Sequence, residues 1–189
     1  MARTPSYMLE LGTQLPGFNL PDTDGKMVSD KTFSGQPVLV LFICNHCPFV
    51  IHVRSQLAAI GRDYIKKGLA IVAINSNDIE THPDDSPEKM KLEHQQAGYV
   101  FPYLFDASQS VAKSFKAACT PDIYLFDKDH RLVYRGQLDD SRPSNQIPVT
   151  GKDLRAAMDA LLIGGRIPAE QKPSLGCNIK WKHGNEPRY

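Results

Sequence analysis

Cys44 and Cys47 are separated by two residues in the run LFICNHCPFV, with His46 between the thiols and Pro48 directly after them. Two thiols one helical turn apart can trade an electron pair as a disulfide, hold a metal, or staple the chain. Structural zinc commonly takes four ligands from two such pairs, whereas this chain has one pair and two solitary cysteines, Cys119 and Cys177. A staple across a two-residue gap removes little chain entropy. Redox exchange is therefore the favoured chemistry, with no metal and no cofactor expected. Cys44 is expected to attack from an exposed tip, its pKa lowered by the helix N-terminus and by His46. Cys47, one turn in, is expected to resolve the mixed disulfide. Stabilising a thiolate makes such a couple more oxidising, about 30 mV for roughly 1.4 kcal/mol.

The elements that must position this pair are legible around it. Gln36-Pro37 launches VLVLFI, an apolar run suited to a strand buried on both faces. After Pro48, the residues Val50, Val53, Leu57, Ile60 and Tyr64 recur at helical spacing toward Gly68. LAIVAINSN predicts a second buried strand, opening into a polar loop in which His82, Asp84 and Asp85 read as solvated. Ser86-Pro87 predicts a helix start, with Ser as N-cap, and that helix runs to Gly98. PYLFD reads as a strand, SQSVAKSFKA as a helix, DIYLFDKDHRLVYRG as a hairpin, and Asp153 to Ile163 as a last helix. PGFNLPDTDGKMVSD predicts a hairpin near the start. Residues 164–189, with three of the 14 prolines, read as an extended arm over the surface. The order implies one α/β domain over 1–189 with a mixed central sheet.

Composition narrows the partners. With 22 basic and 21 acidic residues among 189, and a net charge of +1, the chain lacks the basic excess of a nucleic-acid binder. No apolar run reaches membrane-spanning length, and MARTPSYMLELGTQLPG has no apolar core of a secretory signal. A cytoplasmic protein with no nucleic-acid or membrane partner is expected. In a reducing compartment a close Cys pair is catalytic or metal-binding more often than structural.

A strand, then CNHCP opening a helix, then Thr120-Pro121 before a hairpin resembles the thioredoxin superfamily. The N-terminal hairpin, NSNDIETHPDDSPEKM, FPYLFD and GCNIKWKHGNEP together resemble its peroxiredoxin-like branch of CxxC proteins, the redoxin or AhpC/TSA type, often labelled thiol-disulfide isomerases or thioredoxins. The resemblance implies a thioredoxin-like three-layer sandwich with an N-terminal hairpin extension and an extended C-terminal arm. It implies a thiol–disulfide oxidoreductase acting on protein or small thiol substrates, reset by an external reductant. It also implies that Thr120-Pro121 is a cis-proline turn that packs on the Cys pair and offers backbone to substrate.

Two departures qualify this. Peroxiredoxins read P-x-x-x-T-x-x-C; with Cys47 at the peroxidatic position, Cys44 stands where Thr belongs and Val40 where Pro belongs. A thiol-dependent peroxidase using Cys47, an antioxidant role, is thus the alternative. Thioredoxins keep a buried acid on the strand before the motif, and VLVLFI has none. A metal chaperone using Cys44, His46 and Cys47 is the non-catalytic alternative. Cys119, beside the proline turn, and Cys177, in the arm, are candidate auxiliary thiols, the latter pairing across a homodimer.

Overall fold

The computed structural model describes residues 3–189; Met1 and Ala2, where the signal-segment reading begins, lie outside them. β1 (Arg3–Pro5) is followed by the expected hairpin of β2 (Asn19–Pro21) and β3 (Met27–Ser29). Its turn is set by Asp22, whose carboxylate accepts the Asp24 and Lys26 N–H groups at 2.8 and 2.9 Å. β4 (Val38–Phe42) has every residue buried. Its pleat sends Leu39 and Leu41 into one core and Val38, Val40 and Phe42 into another, so neither face can carry a polar residue.

α1 (Pro48–Tyr64) starts on Cys47 as N-cap, with Pro48 where the missing N–H costs nothing. It buries Val50, Val53, Leu57, Ile60 and Tyr64 against the first core, the face its spacing predicts. β5 (Ala70–Asn75) leads to α2 (Pro87–Ala97), capped by the Ser86 hydroxyl on the Lys89 N–H and ended at Gly98, whose φ of 68° suits glycine. Then come β6 (Tyr103–Phe105), α3 (Ser110–Ser114), β7 (Cys119–Thr120), β8 (Asp122–Phe126), β9 (Leu132–Arg135), α4 (Lys152–Leu162) and β10 (Leu175–Asn178).

The central sheet has the order β6-β5-β4-β8-β9. β4, β5 and β6 run parallel, while β8 pairs antiparallel with both β4 and β9, so the sheet is mixed as expected. α1 and α4 cover one face; α3 and the β2–β3 hairpin cover the other, making three layers. Among the described residues no helix is long and apolar enough to cross a membrane.

A second sheet, β1-β10-β7, was not foreseen. Residues 164–189 do not simply lie over the surface: β10 threads inward and pairs antiparallel with β7, Cys177 opposite Thr120 and Asn178 opposite Cys119. Gly176 permits this approach, because a Cβ there would collide with the Thr120 carbonyl. The run LGCN is too short and unpatterned to announce a strand; it is a strand because β7 offers an unpaired edge.

Candidate active site

The end of β4 carries the chain past Ile43, whose N–H still bonds Ile74 O at 3.0 Å, and delivers Cys44 to the loop before α1. Cys44 and Cys47 both meet Thr120, which is joined to Pro121 by a cis peptide bond. Cys44 Sγ lies 3.4 Å from the Thr120 hydroxyl, and Cys47 Sγ lies 3.2 Å from the Thr120 carbonyl, to which its thiol form donates. All four cysteines are reduced and buried. Cys44 does not sit on an exposed tip, being 2% exposed beside Cys47 at 0%.

The charge distribution reverses the expected polarity of the pair. Cys47, not Cys44, is the acidic thiol, lowered to about 4. The Cys44 thiol donating to it is the main cause, aided by the Cys177 thiol, Thr120 and the Val50 N–H on the first turn of α1, against the opposing effect of burial. Cys44 is raised well above an ordinary thiol because its S–H donates a hydrogen bond to the Cys47 thiolate, because it is buried, and because it faces the Asp85 carboxylate. The helix N-terminus acts on its N-cap residue, Cys47, and not on a residue three positions earlier.

His46 does not spend its charge on Cys44 either. Its Nδ1 pairs with Asp85 Oδ2 at 2.7 Å, and that partner raises the His46 pKa against burial and the nearby Lys180. Asp85 was read as solvated; it is fully buried. Burial pushes its carboxyl up, but His46, the Asn77 amide and the Asn45 N–H outweigh that and hold it below its ordinary range. Asn77 Nδ2 donates to it at 2.7 Å and Asn45 N at 2.8 Å, while Asn45 Nδ2 donates to Asp84 O at 2.8 Å. Tyr103 donates to Asn45 Oδ1 at 3.0 Å, so the loop between the two cysteines is fastened on both sides. The His82 ring stacks on His46 with centroids 5.2 Å apart. A groove of about 310 Å³ opens here, with Asn45, His46 and Asp84 on one wall and Lys89, Leu92 and Glu93 of α2 on the other.

The auxiliary thiols separate. Cys177 reaches the pair, in a side-chain hydrogen bond with Cys47, and burial followed by that contact raises it to about 12. Cys119, next along β7, turns its thiol to Pro121 O at 3.5 Å. Burial and Asp122 push it well above an ordinary thiol. Asp122, one strand over from β4 and opposite Phe42, is a fully buried acid. Burial lifts it to about 6, even though the Ala118 N–H and the Tyr124 hydroxyl donate to it, each at 3.0 Å. Metal-competent donors gather at Cys44, His46 and Asp85, all within 4.8 Å of one another, so Asp85 replaces Cys47 in the set considered from sequence. Both Asp85 oxygens are already engaged by protein groups.

With this sheet and this turn in place, the chain is a thioredoxin-fold protein. It superposes on the thioredoxin domain of a thiol-disulfide oxidoreductase from Bacteroides vulgatus with a TM-score of 0.58, at 22% identity over 67% of this chain and 88% of that one. It belongs to the AhpC/TSA family, whose sequence model matches residues 11–135. An uncharacterized conserved protein from Geobacillus kaustophilus shares 55% identity and a TM-score of 0.94, covering 96% of this chain and 97% of that chain. The thiol-disulfide oxidoreductase ResA of Bacillus thuringiensis subsp. konkukian is 24% identical over 130 residues, 69% of this chain and 71% of its own length.

Proposed function

We infer that this protein is a thiol–disulfide oxidoreductase working through Cys44 and Cys47. The observation that carries the reading is that both sulfurs converge on Thr120, with the Cys44 thiol donating to Cys47. Such a pair holds one thiolate and one thiol in contact, the state that thiol–disulfide exchange needs. Asn45 and His46, the residues directly after Cys44, line the groove, and this reading brings substrate to Cys44 from that side. Proton transfer from Cys44 to Cys47 gives the attacking thiolate. It forms a mixed disulfide with one substrate sulfur, and the other sulfur leaves as a thiolate and takes up a proton. Cys47, giving up its proton, then attacks Cys44 Sγ, releases the second substrate thiol and leaves a Cys44–Cys47 disulfide. An external dithiol resets it, and the reverse sequence oxidises a dithiol.

Insulin reduction by dithiothreitol tests this: wild type should accelerate it, and Cys44→Ser and Cys47→Ser should return it to the uncatalysed rate. Retained turnover in Cys44→Ser would remove Cys44 from the role. One observation favours a second reading, peroxide reduction: the acidic thiol is Cys47, which aligns with the peroxidatic position. Hydrogen peroxide consumption that persists in Cys44→Ser and stops in Cys47→Ser would support it. A cytoplasmic setting belongs to the same reading, since a close Cys pair in a reducing compartment is catalytic more often than structural, and is checked by cell fractionation. Homodimer formation belongs to the same proposal and is read from solution mass.

A further inference from the structure

The proposed exchange uses two thiols, yet a third sulfur touches the inner one. β10 lays Cys177 opposite Thr120, the residue on which both members of the pair rest, and the Cys177 thiol is hydrogen-bonded to Cys47. The strand is held in place from both sides of that contact. β1 pairs along it from Arg3 opposite Cys177 to Pro5 opposite Leu175. Beyond it, the Lys180 N–H bonds Asn77 Oδ1 at 2.8 Å, and Lys180 O accepts the Asp78 N–H at 2.8 Å and Gln109 Nε2 at 2.9 Å. Asn77 also donates to Asp85, so the arm and the Cys44 loop share one hydrogen-bond network. A thiol 1% exposed, fixed by pairing on one side and a network on the other, is held against Cys47 in the same buried cluster as Cys44.

We propose that Cys177 is a third catalytic thiol, which attacks Cys47 of the Cys44–Cys47 disulfide and moves the bridge inward to Cys47–Cys177. This deepens the oxidoreductase reading and rests on it. The balance is internal. The Cys44–Cys47 bond breaks, the Cys47–Cys177 bond forms, Cys44 leaves as a thiolate, and the proton lost by Cys177 is taken up by Cys44. No electrons enter or leave, since substrate disulfide has already supplied the oxidising equivalent. Oxidation of Cys47 also removes the thiolate that opposes ionisation of Cys177. The outcome is an oxidised protein whose outer thiol, Cys44, is again free, and whose arm is covalently tied to the start of α1.

The test is disulfide mapping by mass spectrometry of the full chain equilibrated in glutathione buffers. Wild type should yield both linkages, in a ratio that stays constant as the buffer potential changes, because the two forms are isomers. Cys44→Ser, oxidised by glutathione disulfide, should still close Cys47–Cys177, with Cys44→Ala as the second variant should the first fail to fold. Oxidised wild type should take up iodoacetamide at Cys44, and oxidised Cys177→Ala should not. A Cys44→Ser protein that stays reduced, carries only glutathione adducts, or joins Cys47 to Cys119 overturns the proposal. Wild type that reduces insulin with the Cys44–Cys47 linkage alone refutes the third thiol and leaves the oxidoreductase reading intact. Cys47–Cys177 closure without any insulin turnover refutes that reading instead.

Discussion

Cys44 looks onto a carboxylate: Asp85, fully buried, raises it and draws off the charge of His46. Cys47 looks onto donors: the Cys44 and Cys177 thiols and the Val50 N–H stabilise its thiolate. Three residues of chain thus place two identical side chains in opposite fields. The resting anion sits on the inner sulfur, and the outer sulfur keeps the proton until exchange begins. The difference has a structural origin. One side is a loop docked on the end of β5 and the turn before α2, and the other is a helix start packed on β7 and β10.

Removing the inner thiolate should have the largest effect. Thiolate absorbance near 240 nm, followed against pH in reduced protein, should show an inflection near 4 that disappears in Cys47→Ser. In Cys44→Ser it should move upward, since the largest stabilising donor is altered. An inflection that survives in Cys47→Ser would place the acidic thiol at Cys44 and invert the comparison.

Next is the acidic side. Asp85→Ala strips the acceptor from the Asn45 N–H, the Asn77 amide and His46 together. Urea unfolding should report a loss of about 2–3 kcal/mol, the usual scale for a buried network left without its acceptor. Asp85→Asn keeps much of the shape but removes the charge. Iodoacetamide should then alkylate Cys44 at pH 7 roughly threefold to tenfold faster, as the opposing charge is gone. An unchanged rate would mean that Asp85 acts on the loop and not on the sulfur.

The pH dependence of stability separates the two sides by sign. Cys47 is depressed from 9.0 to about 4, so the unfolded chain binds that proton more tightly through this window. Stability of the reduced protein should therefore rise from about pH 4 toward 9 and be lost as pH falls through 4. Cys44 is raised, so its contribution is present below 9.0 and is lost as pH rises through its folded value. Thermal melts of reduced against oxidised protein across this range isolate the thiols, because the disulfide does not titrate. A flat difference between the two would sink the assignment.

The smallest effect concerns Asp122, a buried acid on β8. Its pKa is raised from 3.8 to about 6, so it contributes stability below 3.8 that is lost as pH rises through 6. Asp122→Asn should gain about 1 kcal/mol at pH 8 and nothing near pH 3.5 by urea unfolding. A gain equal at both pH values would point to packing and not to charge.

Much of the frame was legible because local patterns agree with it. VLVLFI could only be a strand buried twice, the helical spacing from Val50 to Tyr64 returned as the buried face of α1, and Ser86-Pro87 capped α2. The CxxC pair and its proline turn were legible as motifs, and the cis peptide bond lies where the resemblance placed it. Asp85 was not legible, because a short acidic loop reads as solvated until β5 and α2 close over it. Asp122 is a buried acid on β8, opposite Phe42, and a search of β4 alone does not reach it.

The sequence by itself determined which atoms can exchange electrons and the order of elements that carry them, because thiol spacing and hydrophobic period are local properties. Only the tertiary structure decided which thiol is acidic, which carboxylate binds His46, and that Cys177 meets Cys47. Those depend on fields and contacts between segments 40 to 130 residues apart, such as Asn45 with Asp85 and Cys47 with Cys177, and no local pattern encodes them.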